Sequence, residues 1–228
     1  MSGTIILPRT TKDGKPRISY SQFTSWQRET SYNWGVEGKI EYIAEYFLGK
    51  TFPDSGYSQF GKEVEGYVCE RKYEEKFSDK EKEVLNTIKP LGKFQEEFEI
   101  DFGEFVFTGI IDDRTEDWGV LRDYKTGSKK SVGKYYEEEY LQLDFYAMKA
   151  YEITGILPKL EVCIIERKGS CMWGGGRQAL TVGENVWYVV RETSIERLET
   201  LKKELFKVVA EISDYYKLFL EFSKNGSL

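Results

Sequence analysis

Two short acid-bearing segments, Gly109-Ile110-Ile111-Asp112 and Asp123-Tyr124-Lys125-Thr126-Gly127, constrain this chain more than any other part of it. Each acid falls at the end of a run that reads as a strand. Residues i and i+2 of an extended segment point to the same face, so Asp123 and Lys125 project together. If the two strands are neighbours, Asp112 joins them at one end of the sheet. Two carboxylates and an ammonium gathered there suit a hard divalent cation and a phosphate better than they suit a core.

What the chain lacks narrows the chemistry further. It has no histidine, which removes Ser-His-Asp and Cys-His catalysis and the His-Glu-x-x-His zinc site. Its three cysteines, Cys69, Cys163 and Cys171, cannot build a four-ligand structural zinc site or a four-cysteine iron–sulfur cluster without histidine. Neither zinc nor a cluster is therefore expected. Carboxylate, lysine, tyrosine and a metal bound through oxygen remain.

An odd, scattered cysteine set fits a reducing compartment. No window approaches the apolar length of a membrane span, and residues 1–16 carry no hydrophobic signal region. The expectation is a soluble, cytoplasmic protein with no membrane partner. At 228 residues, a single domain over residues 1–228 is expected, with 1–17 as an irregular arm. A net charge of −6 counts against a non-specific DNA binder. Its distribution is less hostile, because Lys125, Lys129, Lys130 and Lys134 follow the carboxylates with no acid among them. Lys129, Lys130 and Lys134 read either as a solvated loop or as lysines that track phosphates.

The periodicities give an element order. Ser19-Tyr20-Ser21 opens a helix with Phe23 and Trp26, and a second helix carries Ile40, Ile43, Ala44, Phe47 and Leu48 on one stripe. A third holds Phe60, Val64, Tyr67 and Val68. Ser78 to Glu81 forms a capping box for a fourth. Three strands follow, near 94–102, 104–113 and 118–126, read as an antiparallel meander. A long helix is expected from about Tyr135 to Thr154, then strands at 160–165 and 185–191 about a Gly174-Gly175-Gly176 loop, then a helix from Thr193 to about Phe222. That order predicts an α/β fold with a mixed central sheet flanked by helices.

Three more residues are candidates. Gly61 and Glu65, four apart, stack on one helical face with Val68 and Cys69, while Glu63 lies about 200° round from Glu65. A glycine one turn before Glu65 leaves room for something to approach. Gln142 and Tyr146 likewise share a face. Taken singly, Glu65 and Gln142 read as surface and Tyr146 as packing.

Together these pieces resemble the PD-(D/E)XK nuclease superfamily, in particular its RecB-like and lambda-exonuclease-like branch. The resemblance rests on four elements in order: Gly61 to Glu65, Gly109 to Asp112, Asp123 to Gly127, and Gln142 to Tyr146. Ile18 to Phe23 also looks like the opening segment of many members. Glutamate at 65, where many RecB-like members carry histidine, is more like the lambda-exonuclease type. The shortage of cysteine points away from the iron–sulfur branch.

The resemblance implies a restriction-endonuclease-like core and a DNA exonuclease dependent on Mg²⁺ or Mn²⁺. It implies that Asp112, Asp123, the carbonyl of Tyr124 and Glu65 serve the metal, that Lys125 serves the phosphate or attacking water, and that Gln142 and Tyr146 position neighbours or the DNA backbone. DNA is the implied substrate, with a single-strand annealing protein or a helicase as a conceivable partner. Two alternatives stay open on the residues: a catalytically silent nuclease-fold module that binds DNA or a recombination partner, and a structural ion-pair network. Tyr20, Phe23, Trp26 and Trp34 read as core or as base-stacking residues, and Trp173 as a side chain on a glycine-rich loop that could meet a DNA end.

Overall fold

The computed structural model describes residues 4–30, 36–52, 55–136, 140–171 and 177–224. Its strands are β1 (Arg17–Ser19), β2 (Lys93–Asp101), β3 (Val106–Arg114), β4 (Val120–Gly127), β5 (Lys159–Lys168) and β6 (Thr181–Arg191). They form one six-stranded sheet in the order β1-β3-β4-β5-β6, with β2 beside β3. The β1–β3 and β4–β5 pairs are parallel, and the β3–β4 and β5–β6 pairs antiparallel. The mixed α/β sheet is the one the element order predicts. The parallel β1 is an addition to the expected meander, which gave no sign of it.

The helices are α1 (Tyr20–Gln27), α2 (Gly38–Tyr42), α3 (Gly56–Glu70), α4 (Asp79–Leu85), α5 (Lys129–Val132), α6 (Gln142–Thr154) and α7 (Ile195–Lys224). The chain divides into two compact units. One comprises Met1–Phe52, Glu97–Gly109 and Glu196–Leu228, the other Pro53–Glu96 and Ile110–Ile195. Among the described residues no helix is long and apolar enough to cross a membrane.

In the first unit, Ser19 and Gln22 form a capping box that opens α1. Phe23 and Trp26 are buried, and the Trp26 ring meets Tyr42 and Tyr215 edge-on while its Nε1 donates to Glu211. These two aromatics are core, with no face left for a base; Trp34 lies outside the described residues. The expected apolar stripe on the second helix is realised only in part. After five residues α2 passes into a π-helical turn, Ile43–Phe47, whose wider repeat rotates the buried face. Ala44 is buried and the Phe47 ring meets Tyr42, as the stripe requires, but Ile40 is 51% and Leu48 54% exposed while Glu41 and Tyr42 are buried. Along α7, Leu198, Leu201, Leu205, Val208, Val209 and Ile212 keep the stripe expected of a one-sided helix.

In the second unit, α3 starts where Ser55 accepts a hydrogen bond from the Ser58 N–H. Its buried face, Phe60, Val64, Tyr67 and Val68, packs with Tyr124, Cys163 and Ile165 of the sheet and with Phe77, Leu85 and Ile88. Ser78 and Glu81 form the expected capping box on α4. The helix after β4 does not begin near Tyr135. Residues 129–132 make the separate short α5, a 3₁₀ turn takes Gly133–Tyr135, and α6 starts at Gln142; Gly133, a poor helix former, stands at the break. Gly174 to Gly176 and Trp173 lie outside the described residues.

The sheet of this unit is tied together by Asp113, which is wholly buried. Its carboxylate accepts from the N–H groups of Leu91 and Gly92, at 2.7 and 3.2 Å, and from the Tyr124 hydroxyl at 2.8 Å. Across the ladder Arg122 donates to Glu161 through Nε and Nη2, at 3.1 and 2.8 Å, and to the Lys89 carbonyl. Asp113 thus holds the entry of β2 against β3 and β4. Asp113→Ala takes the acceptor from two backbone N–H groups and from the buried Tyr124 hydroxyl and is expected to cost about 3 kcal/mol, with Asp113→Asn milder; urea unfolding of both variants checks this order.

Candidate active site

The β3–β4 ladder is short. Asp113 pairs with Arg122 and Arg114 with Leu121, and no further register partners follow toward Gly109. Beyond that point a backbone donor on β4 needs another acceptor. The Tyr124 N–H finds it in the side chain of Asp112, at 2.9 Å. Asp112 and Asp113 are adjacent and, by the strand alternation, opposed in direction. Asp113 is consumed by structure, and Asp112 is delivered to the end of β4.

On β4, Asp123 and Lys125 lie on one face as their spacing predicts. The Lys125 Nζ is 2.8 Å from Oδ1 and 2.7 Å from Oδ2 of Asp123, which is wholly buried while Lys125 is half-buried. Between them Tyr124 points the other way, into the α3 cluster. The Tyr140 hydroxyl donates to Asp123 Oδ2 at 2.7 Å and also lies 3.1 Å from Gln142 Oε1. Gln142 Nε2 donates to the Tyr146 hydroxyl at 2.7 Å. The expected Gln142–Tyr146 pair is therefore real, and it reaches the acid through Tyr140. The Arg191 guanidinium holds the Tyr140 carbonyl and pairs with the buried Asp144 at 3.0 Å, which also accepts from Thr193.

Glu65 projects from α3, half-buried, with its Oε1 accepting from Gln95 Nε2 on β2. Burial, with the Asp123 charge adding to it, pushes Glu65 up to about 7. Burial also drives Asp112 well above the ordinary aspartate range, again with Asp123 contributing. Lys125 is held above the usual lysine value because Asp123 and Asp112 outweigh the effect of its burial. Three carboxylates thus feel one another around one ammonium. Glu63, round the helix as expected, is not exposed: it is buried and paired with Arg177. Among the described residues outside its own stretch of helix, nothing comes within 4 Å of a Cβ placed on Gly61, which leaves space before Glu65.

Lys129, Lys130 and Lys134 are exposed. The first two sit on α5, directly after β4, and Lys134 lies over the Tyr135 ring at 4.8 Å. A Cβ on Gly127 would meet the Ser131 hydroxyl, which would have to turn from the Ser128 carbonyl it donates to.

Among the described residues no three His, Cys, Asp or Glu side chains already converge as a metal cluster. A hard divalent cation does not need three. Mg²⁺ typically takes one or two carboxylates and completes its shell with water and phosphate oxygens. Asp112 and Asp123, both carboxylate, with the Tyr124 carbonyl and Glu65 nearby in sequence or charge, offer oxygen only. The mutual repulsion of these acids is what a cation relieves, so the donor set fits.

Tyr140 and Gln95 were not among the residues that spacing or motif singled out. Tyr140 stands two residues before Gln142, and Gln95 lies in a strand read only for its alternation; neither carries a charge or a spacing that marks it.

A sheet whose strands part beside one acid, with a second acid and a lysine at i and i+2 on the next strand, defines a nuclease-type core. A profile of the PD-(D/E)XK nuclease superfamily matches residues 41–218, and the chain belongs to that superfamily. Its fold is similar to that of a candidate exonuclease from Eubacterium rectale, at 13% identity and a TM-score of 0.54, covering 96% of this chain and 88% of that one. It is also similar to LHK-Exo, solved in complex with dAMP, at 11% identity and a TM-score of 0.50, covering 91% and 93% of the two chains. At such identities the likeness establishes the fold. The comparison with curated proteins gives no match.

The raised carboxyls set a pH dependence. A folded-state value near 7 for Glu65 against an ordinary value of 4.5 means that the metal-free protein binds a proton more tightly folded than unfolded. Its stability should therefore rise as pH falls from 8 through 7 toward 5. Glu65→Gln should raise the metal-free melting temperature at pH 8 and flatten that slope; thermal melts of both proteins in EDTA across this range check it.

Proposed function

We propose that this protein is a metal-dependent deoxyribonuclease that hydrolyses phosphodiester bonds from DNA ends. The observation that carries the reading is the meeting of Asp112, Asp123 and Lys125 at the end of β4, with Glu65 in electrostatic reach. Membership of the nuclease superfamily and the exonuclease names of its structural neighbours support it, and the dAMP bound to one of them fits a nucleotide product.

In this reading Asp112, Asp123 and the Tyr124 carbonyl hold Mg²⁺ or Mn²⁺, with Glu65 assisting directly or through water. When bound, such an ion supplies Lewis acidity to the phosphate and acidifies a water without any imidazole. The chain's own residues do the rest. Lys125 places its ammonium where negative charge grows on the phosphate or orients the attacking water. Two acids beside it keep that ammonium charged at neutral pH. Tyr140, backed by Gln142 and Tyr146, fixes the Asp123 carboxylate by a neutral hydrogen bond. Lys129, Lys130 and Lys134 follow the DNA backbone.

The deciding experiment incubates end-labelled linear DNA and a closed circle with Mg²⁺, Mn²⁺ or EDTA. Loss of linear DNA alone, dependent on metal, is expected of the wild type, and Asp123→Ala should give none. Cutting of the circle would make the enzyme an endonuclease of the same chemistry. DNA retained in EDTA with no product under either metal would make the chain a binding module and sink the reading. Lys125→Ala should keep metal binding and lose about a hundred- to thousandfold in rate; a change below about threefold would reduce Lys125 to a structural part.

Tyr140→Phe removes one hydroxyl and little else. It should lower single-turnover cleavage about tenfold, as loss of an outer partner of a ligand commonly does, with an unchanged melting temperature.

A further inference from the structure

Among the described residues, four other than glycine adopt positive φ: Arg71, Tyr73, Gln95 and Trp118. Three have local reasons. Arg71 is the C-cap of α3, Tyr73 introduces the 3₁₀ turn Glu74–Lys76, and Trp118 lies in the turn between β3 and β4. Gln95 has none: at φ 51° it lies inside β2. A left-handed residue within a strand is strained and breaks the pleat. Such a backbone persists only where its surroundings impose it.

Those surroundings are visible. Just before Gln95, the N–H groups of Leu91 and Gly92 are fastened to Asp113. Just after it, Glu96 is paired with Arg114 at 2.5 Å. With both sides held, the carboxamide of Gln95 reaches Glu65 and donates to its Oε1. The partner is itself informative. A lysine or arginine here would pair with Glu65, cancel its charge and compete with a divalent cation. A carboxamide aligns the carboxylate and leaves its charge in place.

We propose that Gln95 is a positioning residue of the candidate active site, its strained backbone presenting the carboxamide that orients Glu65 toward a divalent cation shared with Asp112 and Asp123. This rests on the metal-dependent reading above. The residue acts through Glu65 and not on the substrate.

The test uses the whole protein with Mn²⁺ as the probe, comparing wild type, Gln95→Ala, Gln95→Gly and Asp112→Asn. Mn²⁺ affinity is read by calorimetry and metal-free stability by thermal melts. Both Gln95 variants lose the amide, while only glycine relieves the left-handed backbone. The expected result is a split: both bind Mn²⁺ more weakly, by a similar factor of about ten, and Gln95→Gly melts higher than Gln95→Ala. If affinity follows melting temperature instead, with the glycine variant close to wild type and the alanine variant impaired, Gln95 is a structural residue and the proposal falls. It falls also if both variants bind within twofold of wild type while Asp112→Asn does not, an outcome that leaves the metal reading standing. Absence of Mn²⁺ binding by the wild type would overturn both.

Discussion

Like charge held in a small space is the constraint around which the second unit is arranged. Asp112, Asp123 and Glu65 crowd one ammonium, and burial raises the cost of each charge. A cluster of this kind does not hold a fold together; the fold must hold it. The anchoring lies one residue away. Asp113 accepts from two backbone N–H groups and a tyrosine hydroxyl, and Arg122 is matched by Glu161 on the next strand. The ladder closes on these groups and stops, and where it stops Asp112 takes over as acceptor for the Tyr124 N–H. Neighbouring aspartates thus serve opposite ends. One is satisfied and stabilising, and the other is left for the site.

How legible this was in the sequence depended on distance along the chain. Asp123 and Lys125 follow from the period of a strand, and Gln142 with Tyr146 from the period of a helix, so both pairs stand where spacing puts them. Glu65 was readable as an acid beside the apolar side of α3 because Val68 and Cys69 share its helical face. Asp112 could be chosen over Asp113 only through the Gly-x-x-Asp resemblance, since alternation says that the two diverge and not which way. Tyr140 and Gln95 were invisible for a different reason. Their contacts join segments 17 and 30 positions apart, through backbone shapes no periodicity encodes. The same limit explains α2, where a π-helical turn displaced the stripe, and the late start of α6.

The polar groups around the acids have a common character. Among the described residues, the donors other than Lys125 that touch Asp112, Asp123 and Glu65 are neutral: a backbone N–H, the Tyr140 hydroxyl and the Gln95 carboxamide. Neutral donors fix direction without discharging what they hold. Had the fold surrounded these acids with arginine, as it does for Glu63, Asp144 and Glu161, the site would be stable and closed to cations.

Counting formal charges turns this into a statement about the ligand. Three ionised carboxylates against one ammonium leave two negative charges unmatched. Without a cation, burial first and the neighbouring Asp123 charge second push the Glu65 and Asp112 carboxyls upward. A single divalent ion would cancel the imbalance with all three acids ionised and would free Lys125 from having to balance Asp123 alone. A lysine released in this way would be available to a substrate phosphate. In the proposed reading, then, ion and substrate are coupled by charge balance: the cation that lets the acids ionise also releases the ammonium for the phosphate.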